Sequence, residues 1–225
     1  ELSSKARRYF SVFLNIAEEV VLLGLDDATG RCVSNYASFA WGAGVLAELV
    51  ALGRLDASQS PPALRDSSTA GNPVLDDAIR VIGLSRVARS LTHWIRSGPV
   101  EHGRDATLSR LVEAGILERV ENRVLGLFTF RRYPAHDSAV ENAIRQRLRS
   151  VLLEGQEPDA RTRLLLSIVW RGGLLKTFVT NEERKAVSVR LQLLVGDEPV
   201  GAALGRVIDE DEAAVSATAI IAATT

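Results

Sequence analysis

Methionine is absent from the 225 residues, cysteine occurs once and histidine three times. With Cys32 alone there is no intramolecular disulfide framework, and the chain fits a reducing compartment. His93, His102 and His136 have no metal-ligand spacing among themselves or with Cys32, so no zinc centre is expected. No run of about 18 consecutive apolar residues occurs, which removes any transmembrane-helix candidate. Lys5-Ala6-Arg7-Arg8 before Tyr9–Leu14 has the outline of a signal peptide, but its apolar part is short and soon meets Glu18-Glu19. Without a starting methionine, Glu1 is not expected to begin the full gene product.

Catalytic signatures are missing too. There is neither a G-x-S-x-G elbow nor a phosphate-cradling Walker loop. Asp26-Asp27, Asp76-Asp77 and Glu182-Glu183 sit at turns or helix starts, where capping accounts for them better than acid–base chemistry. Gly42-Ala43-Gly44-Val45-Leu46-Ala47 matches G-x-G-x-x-A, with Asp66 about 20 residues later. The preceding Asn35–Trp41 lacks the β-branched residues of a buried strand, so close helix packing is the better account of those small residues. No nucleophile or base is paired with an activating partner, so neither an enzyme nor a cofactor is expected.

What is present is 46% apolar residues, ample for a core, and a net charge of −1. That balance argues against wholesale attraction to nucleic acid or to an anionic membrane; any anion site must be local. The charge is unevenly spread. Arg80 to Arg149 holds 13 Arg against 7 Asp plus Glu, a net of +6, whereas the last 30 residues hold six acids and only Arg206, a net of −5. Two solvated helical faces or a basic face opposed to an acidic tail both fit.

In chain order, 1–13 reads as an N-terminal segment and 14–225 as a single domain. Ile16–Leu25 predicts a helix and Asp26–Gly30 a turn. Ser34 or Asn35 caps a helix that stops at Gly53; an extended segment and a polar loop to Gly71 follow. Asn72-Pro73 starts another helix, and Ser90 a short one ending at Gly98-Pro99. Ser138 with Glu141, and Thr180 with Glu183, predict capping boxes, and Asp159 a further cap. The tail from Val200 to Ile221 reads as one or two helices. Three helices end alike, at Gly53, Gly115 and Gly173, each followed closely by an aliphatic residue. The fold expected is mainly α, one compact multi-helix domain with small β-hairpins.

Leu108–Pro134 stands out. An amphipathic helix stops at Gly115, a strand begins at Ile116, and a second strand carries Val124, Leu125, Leu127, Phe128 and Phe130 before Arg131-Arg132. Glu121-Asn122-Arg123 is the expected turn. So much apolar surface ending in adjacent cations suggests contact with a membrane or with another copy of the chain. Helix, glycine stop and hairpin also describe a winged helix, but Asp105 and Glu113 on that helix make nucleic acid an improbable partner.

Glu18–Gly30 (EEVVLLGLDDATG) resembles the opening signature of the Golgi phosphoprotein 3 family. Leu46–Leu55, Val74–Ala78, Trp94-Ile95, Leu111–Leu117 and Arg161–Leu166 follow in the family's order, from about Leu14 to Leu194. The resemblance implies a mainly helical, non-enzymatic peripheral membrane protein that binds phosphatidylinositol 4-phosphate. The alanine- and arginine-rich style resembles that of bacterial members, and that likeness implies a cytoplasmic protein, peripheral at the inner face of a membrane.

In eukaryotic relatives a tryptophan and three arginines form the headgroup pocket, and an apolar hairpin enters the bilayer. By spacing, the tryptophan position falls near Val33, one arginine at Gly42, another at Arg104, and the partner of Arg104 at Glu101. Arg104 is the one pocket arginine that this carries over; Trp41, adjacent to Gly42, and Arg131 and Arg132 at the hairpin end complete the headgroup candidates. Leu125, Leu127, Phe128 and Phe130 are the membrane-contact or oligomer candidates. A scaffold that self-associates through the hairpin and has lost the lipid site is the alternative.

Overall fold

Asn15 opens the innermost helix. Its side chain accepts from the Glu18 backbone at 2.9 Å, and the Glu18 carboxylate accepts from the Asn15 backbone at 2.8 Å, a reciprocal cap that satisfies two orphan donors. The helix α1 (Ile16–Leu23) is buried on every side. Fully burying side chains such as Ile16, Leu22 and Leu23 contributes about 2 kcal/mol each. In this computed structural model the described residues are 13–97, 100–124 and 128–224.

Around α1 lie α2 (Ala37–Ala51) and α7 (Ala160–Arg171), and the first half of α9 (Pro199–Thr224) packs on both of the latter. Gly44 lets α1 and α2 come together: a Cβ there would sit 2.8 Å from Ala17 Cα. The G-x-G segment thus serves backbone approach inside a helix, as its composition predicts. Outside this group lie α3 (Pro73–Leu84), α4 (Leu91–Ser97), α5 (Val100–Glu113), α6 (Ala139–Leu153) and α8 (Asn181–Val195). Buried apolar residues from Leu14 to Ile208 form one cluster.

The mainly helical expectation holds, with two antiparallel strand pairs among the described residues. β1 (Leu55–Asp56) pairs β2 (Ala63–Leu64), and β3 (Val120–Val124) pairs β4 (Phe128–Arg132). Asn72, Asp159 and Thr180 cap their helices as expected. The three similar helix ends share one geometry. The amides of Gly53, Gly115 and Gly173 bond back to Val50, Val112 and Trp170, and those of Arg54, Ile116 and Leu174 to Leu49, Leu111 and Val169. These are Schellman stops, and the glycines have φ of 68°, 72° and 70°.

Three local expectations are corrected. Tyr36, not Ser34 or Asn35, is the N-cap residue of α2, without a side-chain cap, because the Ser34 hydroxyl accepts from the Tyr36 amide and donates to the Gly172 carbonyl. Ser138 makes no cap bond; Asp137 accepts from the Ala139 amide instead, and Glu141 turns inward. The hairpin turn is misplaced by the sequence reading. Glu121, Asn122 and Arg123 lie within β3, and Val124 pairs with Phe128, so Val124 belongs to the first strand. Leu125 and Leu127 lie outside the described residues, as do the side chains of Phe128 and Phe130.

Candidate functional site

The turn at 26–31 is fixed by Asp26, whose carboxylate accepts from the amide and hydroxyl of Thr29 at 2.8 and 2.7 Å. Those Thr29 donors hold the Asp26 carboxyl below its ordinary value. The Asp26 amide donates to Arg31 O, and Leu25 bridges Cys32, which brings the chain back beside itself. Gly30 has φ of 63°, and a Cβ on it would sit 2.3 Å from the Tyr133 and Pro134 nitrogens. Tyr133 and Ala135 donate backbone amides to Gly30 O and Asp27 O. The turn is therefore pressed onto the exit of the hairpin.

Arg104 reaches this turn from α5, which is anchored by buried Leu108 and Leu111. Its Nη2 lies 2.9 Å from Cys32 Sγ, and the side chain is half-buried. Three segments distant in sequence, the signature turn, the Arg104 helix and the hairpin base, thus converge on one face.

The other headgroup candidates fare differently. Trp41 has no exposed surface, and its Nε1 donates to Thr107 Oγ1 at 3.1 Å. It is a packing residue beneath α5, which corrects its place among the ligand-facing residues; an indole so enclosed offers no face to a headgroup. Arg131 and Arg132 do not act as a pair, because successive strand residues point to opposite faces. Arg131 stands opposite Glu121 and is 3.3 Å from its carboxylate, while Arg132 stands opposite Val120 and is half-buried. Arg119 shares the Glu121 carboxylate and holds it below its ordinary value.

The excess charge of the Arg80–Arg149 segment is largely consumed inside the fold. Arg110 pairs with buried Glu18, Arg147 with buried Glu19, Arg149 with Glu183, and Arg96 with Glu210 of the acidic tail. Arg145 joins Asp27 to buried Glu141. Burial, and a hydrogen bond shared with Asp27, push the Glu141 carboxyl up to about 8 against the opposing pull of Arg145. Burial likewise raises the Glu19 carboxyl, with Arg147 opposing it. Of the two readings of that charge, a basic face opposed to the acidic tail gives way to a set of ion pairs, one of which joins the segment to the tail itself. Glu18 and Glu19 lie in the first turn of α1, where acids suit the helix dipole, and nothing local marks their arginine partners, more than 90 residues away. Glu48 was missed likewise: it accepts from the Ile16 amide at 2.7 Å and pairs with Arg161 at 2.8 Å. The only local hint was acids on a helix otherwise apolar all round.

Among the described residues, no helix is long and apolar enough to cross a membrane, and no group of three or more His, Cys, Asp or Glu could hold a metal ion.

The profile of the family described as Golgi phosphoprotein 3 (GPP34) matches residues 16–210. Vacuolar protein sorting-associated protein 74 of Schizosaccharomyces pombe is 29% identical over 177 residues, covering 68% of this chain and 52% of the relative. The chain spans about half the length of the curated relative it matches. It belongs to the Golgi phosphoprotein 3 family.

Proposed function

We propose that this member of the Golgi phosphoprotein 3 family is a non-enzymatic peripheral membrane protein whose Arg104 face receives an anionic lipid headgroup of the phosphatidylinositol 4-phosphate type. The observation that carries the reading is the convergence of Arg104, Cys32 and the hairpin base. A guanidinium supplies planar donors for phosphate oxygens, and an apolar hairpin beside it provides a second anchor. Arg132 is the better second cation, since Glu121 already engages Arg131. Cytoplasmic location at the inner face of a membrane belongs to the same proposal.

Sedimentation with phosphatidylcholine vesicles, with and without phosphatidylinositol 4-phosphate, tests it. The wild-type chain should pellet with the phosphoinositide vesicles, and Arg104→Ala should pellet less. No pelleting with any anionic lipid ends the proposal; pelleting indifferent to Arg104→Ala removes this face from it.

A second reading, self-association through the hairpin, draws on the two-stranded sheet β3–β4, which has no third strand among the described residues. Light scattering of Leu127→Asp tests it, and an unchanged mass would exclude the hairpin from any interface.

A further inference from the structure

Segment 32–36 has two sides. Cys32 meets Arg104, while Val33 to Tyr36 wall a separate cavity of about 380 Å³ together with Arg171, Gly173, Lys176 and Glu212. We infer that this cavity is an anion site, independent of the Arg104 face, in which Arg171 and Lys176 hold a phosphomonoester.

Arg171 is pre-organised. Its guanidinium carbon lies 4.2 Å from the centre of the Trp170 ring, and its stem runs past Gly205 of α9, where a Cβ would meet Arg171 Cδ at 3.3 Å. Its last helical turn gives way to Gly172 and Gly173, so the Lys176 side chain enters from the following 3-10 turn (Leu175–Thr177). Neither cation takes part in an ion pair with a described carboxylate, unlike Arg96, Arg145, Arg147, Arg149 and Arg161. The opposite wall is held by the Ser34 hydroxyl, which accepts from Tyr36 and donates to the Gly172 carbonyl, tying the two sides together.

Glu212 is the one described acid on the cavity lining, across from Arg171 and Lys176. Burial, with Glu212 and Asp211 nearby, raises the Tyr36 phenol, so it stays neutral on this wall. Two cations against one carboxylate favour an anion. The volume exceeds that of bare phosphate and lies in the range of small-ligand sites, which suits a phosphate carried on a polyol. Lipid headgroup and free phosphomonoester present the same chemistry here.

The test uses the whole chain, isotope-labelled, with inorganic phosphate as probe, followed by vesicle sedimentation. Phosphate should shift the amide resonances of Val33–Tyr36 and Gly172–Lys176. Lys176→Glu, at an exposed position, should weaken that binding at least about tenfold, as loss of a charge-assisted contact does. Lys176→Ala should weaken it less, and Glu212→Gln should strengthen it. If Lys176→Glu also lowers pelleting with phosphoinositide vesicles the source is lipid; if pelleting is unchanged the source is a soluble phosphomonoester. Resonance shifts that are absent from both segments, or indifferent to Lys176→Glu, overturn the inference. Because the phosphate arm does not involve Arg104, that result leaves the Arg104 proposal standing, and failure of Arg104→Ala leaves this one standing.

Discussion

Arg110 holds the buried carboxylate of Glu18 with two nitrogens, Nε on one oxygen and Nη2 on the other at 2.8 Å, across 92 residues of sequence. The same carboxylate caps α1, so one acid ties the central helix both to its own start and to the helix that carries Arg104.

Removing the arginine strands a buried charge. Arg110→Ala should destabilise the chain by about 2–3 kcal/mol, less than the roughly 3–5 kcal/mol of a fully buried pair, because the Arg110 side chain is 43% exposed. Urea denaturation checks it. The double variant Glu18→Leu with Arg110→Met should recover much of the loss, since replacing both partners avoids the uncompensated charge. A recovery no better than the single variant would mean that the α1 cap, rather than the pair, carries the stability.

Glu141 makes stability depend on pH in an unusual direction for a carboxyl. Its folded value of about 8 lies above the ordinary 4.5, so the folded state binds the extra proton between those limits. Stability from this group is therefore greatest at low pH and declines as pH rises towards 8, by at most about 1.4 kcal/mol per unit. Glu141→Gln should flatten that decline in thermal unfolding followed from pH 5 to 8. Glu183, held down to about 2 mainly by Arg149, works the opposite way: its stabilisation is present above 4.5 and lost as pH falls towards 2. The contributions of these two groups balance near their shared unfolded value of 4.5.

The two hairpin arginines should separate in a vesicle assay. Arg132→Ala should reduce phosphoinositide-dependent pelleting about fivefold, on the scale of one basic residue at an anionic surface. Arg131→Ala should do less, because Glu121 already neutralises that side chain, and Glu121→Gln should increase pelleting. Equal losses from both arginines would contradict this assignment.

Local chemistry made much of the fold legible. Asn72-Pro73, Asp159 and Thr180 with Glu183 marked helix starts because a cap needs only residues within one turn, and the glycine stops were readable for the same reason. The hairpin turn was not. Glu121-Asn122-Arg123 has turn-forming composition, but pairing from Leu117 with Ala135 through Val120 with Arg132 sets a register that draws those residues into the strand. The pattern Ser138 to Glu141 misled because Asp137, one residue earlier, takes the amide, while Asp27 and Arg145 draw the carboxyl inward. At the proposed site, Arg104 was reached only through the family resemblance. Its contact with Cys32 spans 72 residues and had no local trace, and the arginine excess looked like a surface because its partners lie elsewhere in the chain.

At Gly53, Gly115 and Gly173, a Cβ built on the backbone would meet no atom within 4 Å. What excludes an ordinary side chain there is handedness, not volume. A mirror-image residue such as D-alanine, introduced by chemical synthesis, would occupy the same backbone without strain, and would also narrow the unfolded ensemble that glycine leaves wide. The three helix stops are thus places where the chain is limited by the chirality of its building blocks rather than by its packing.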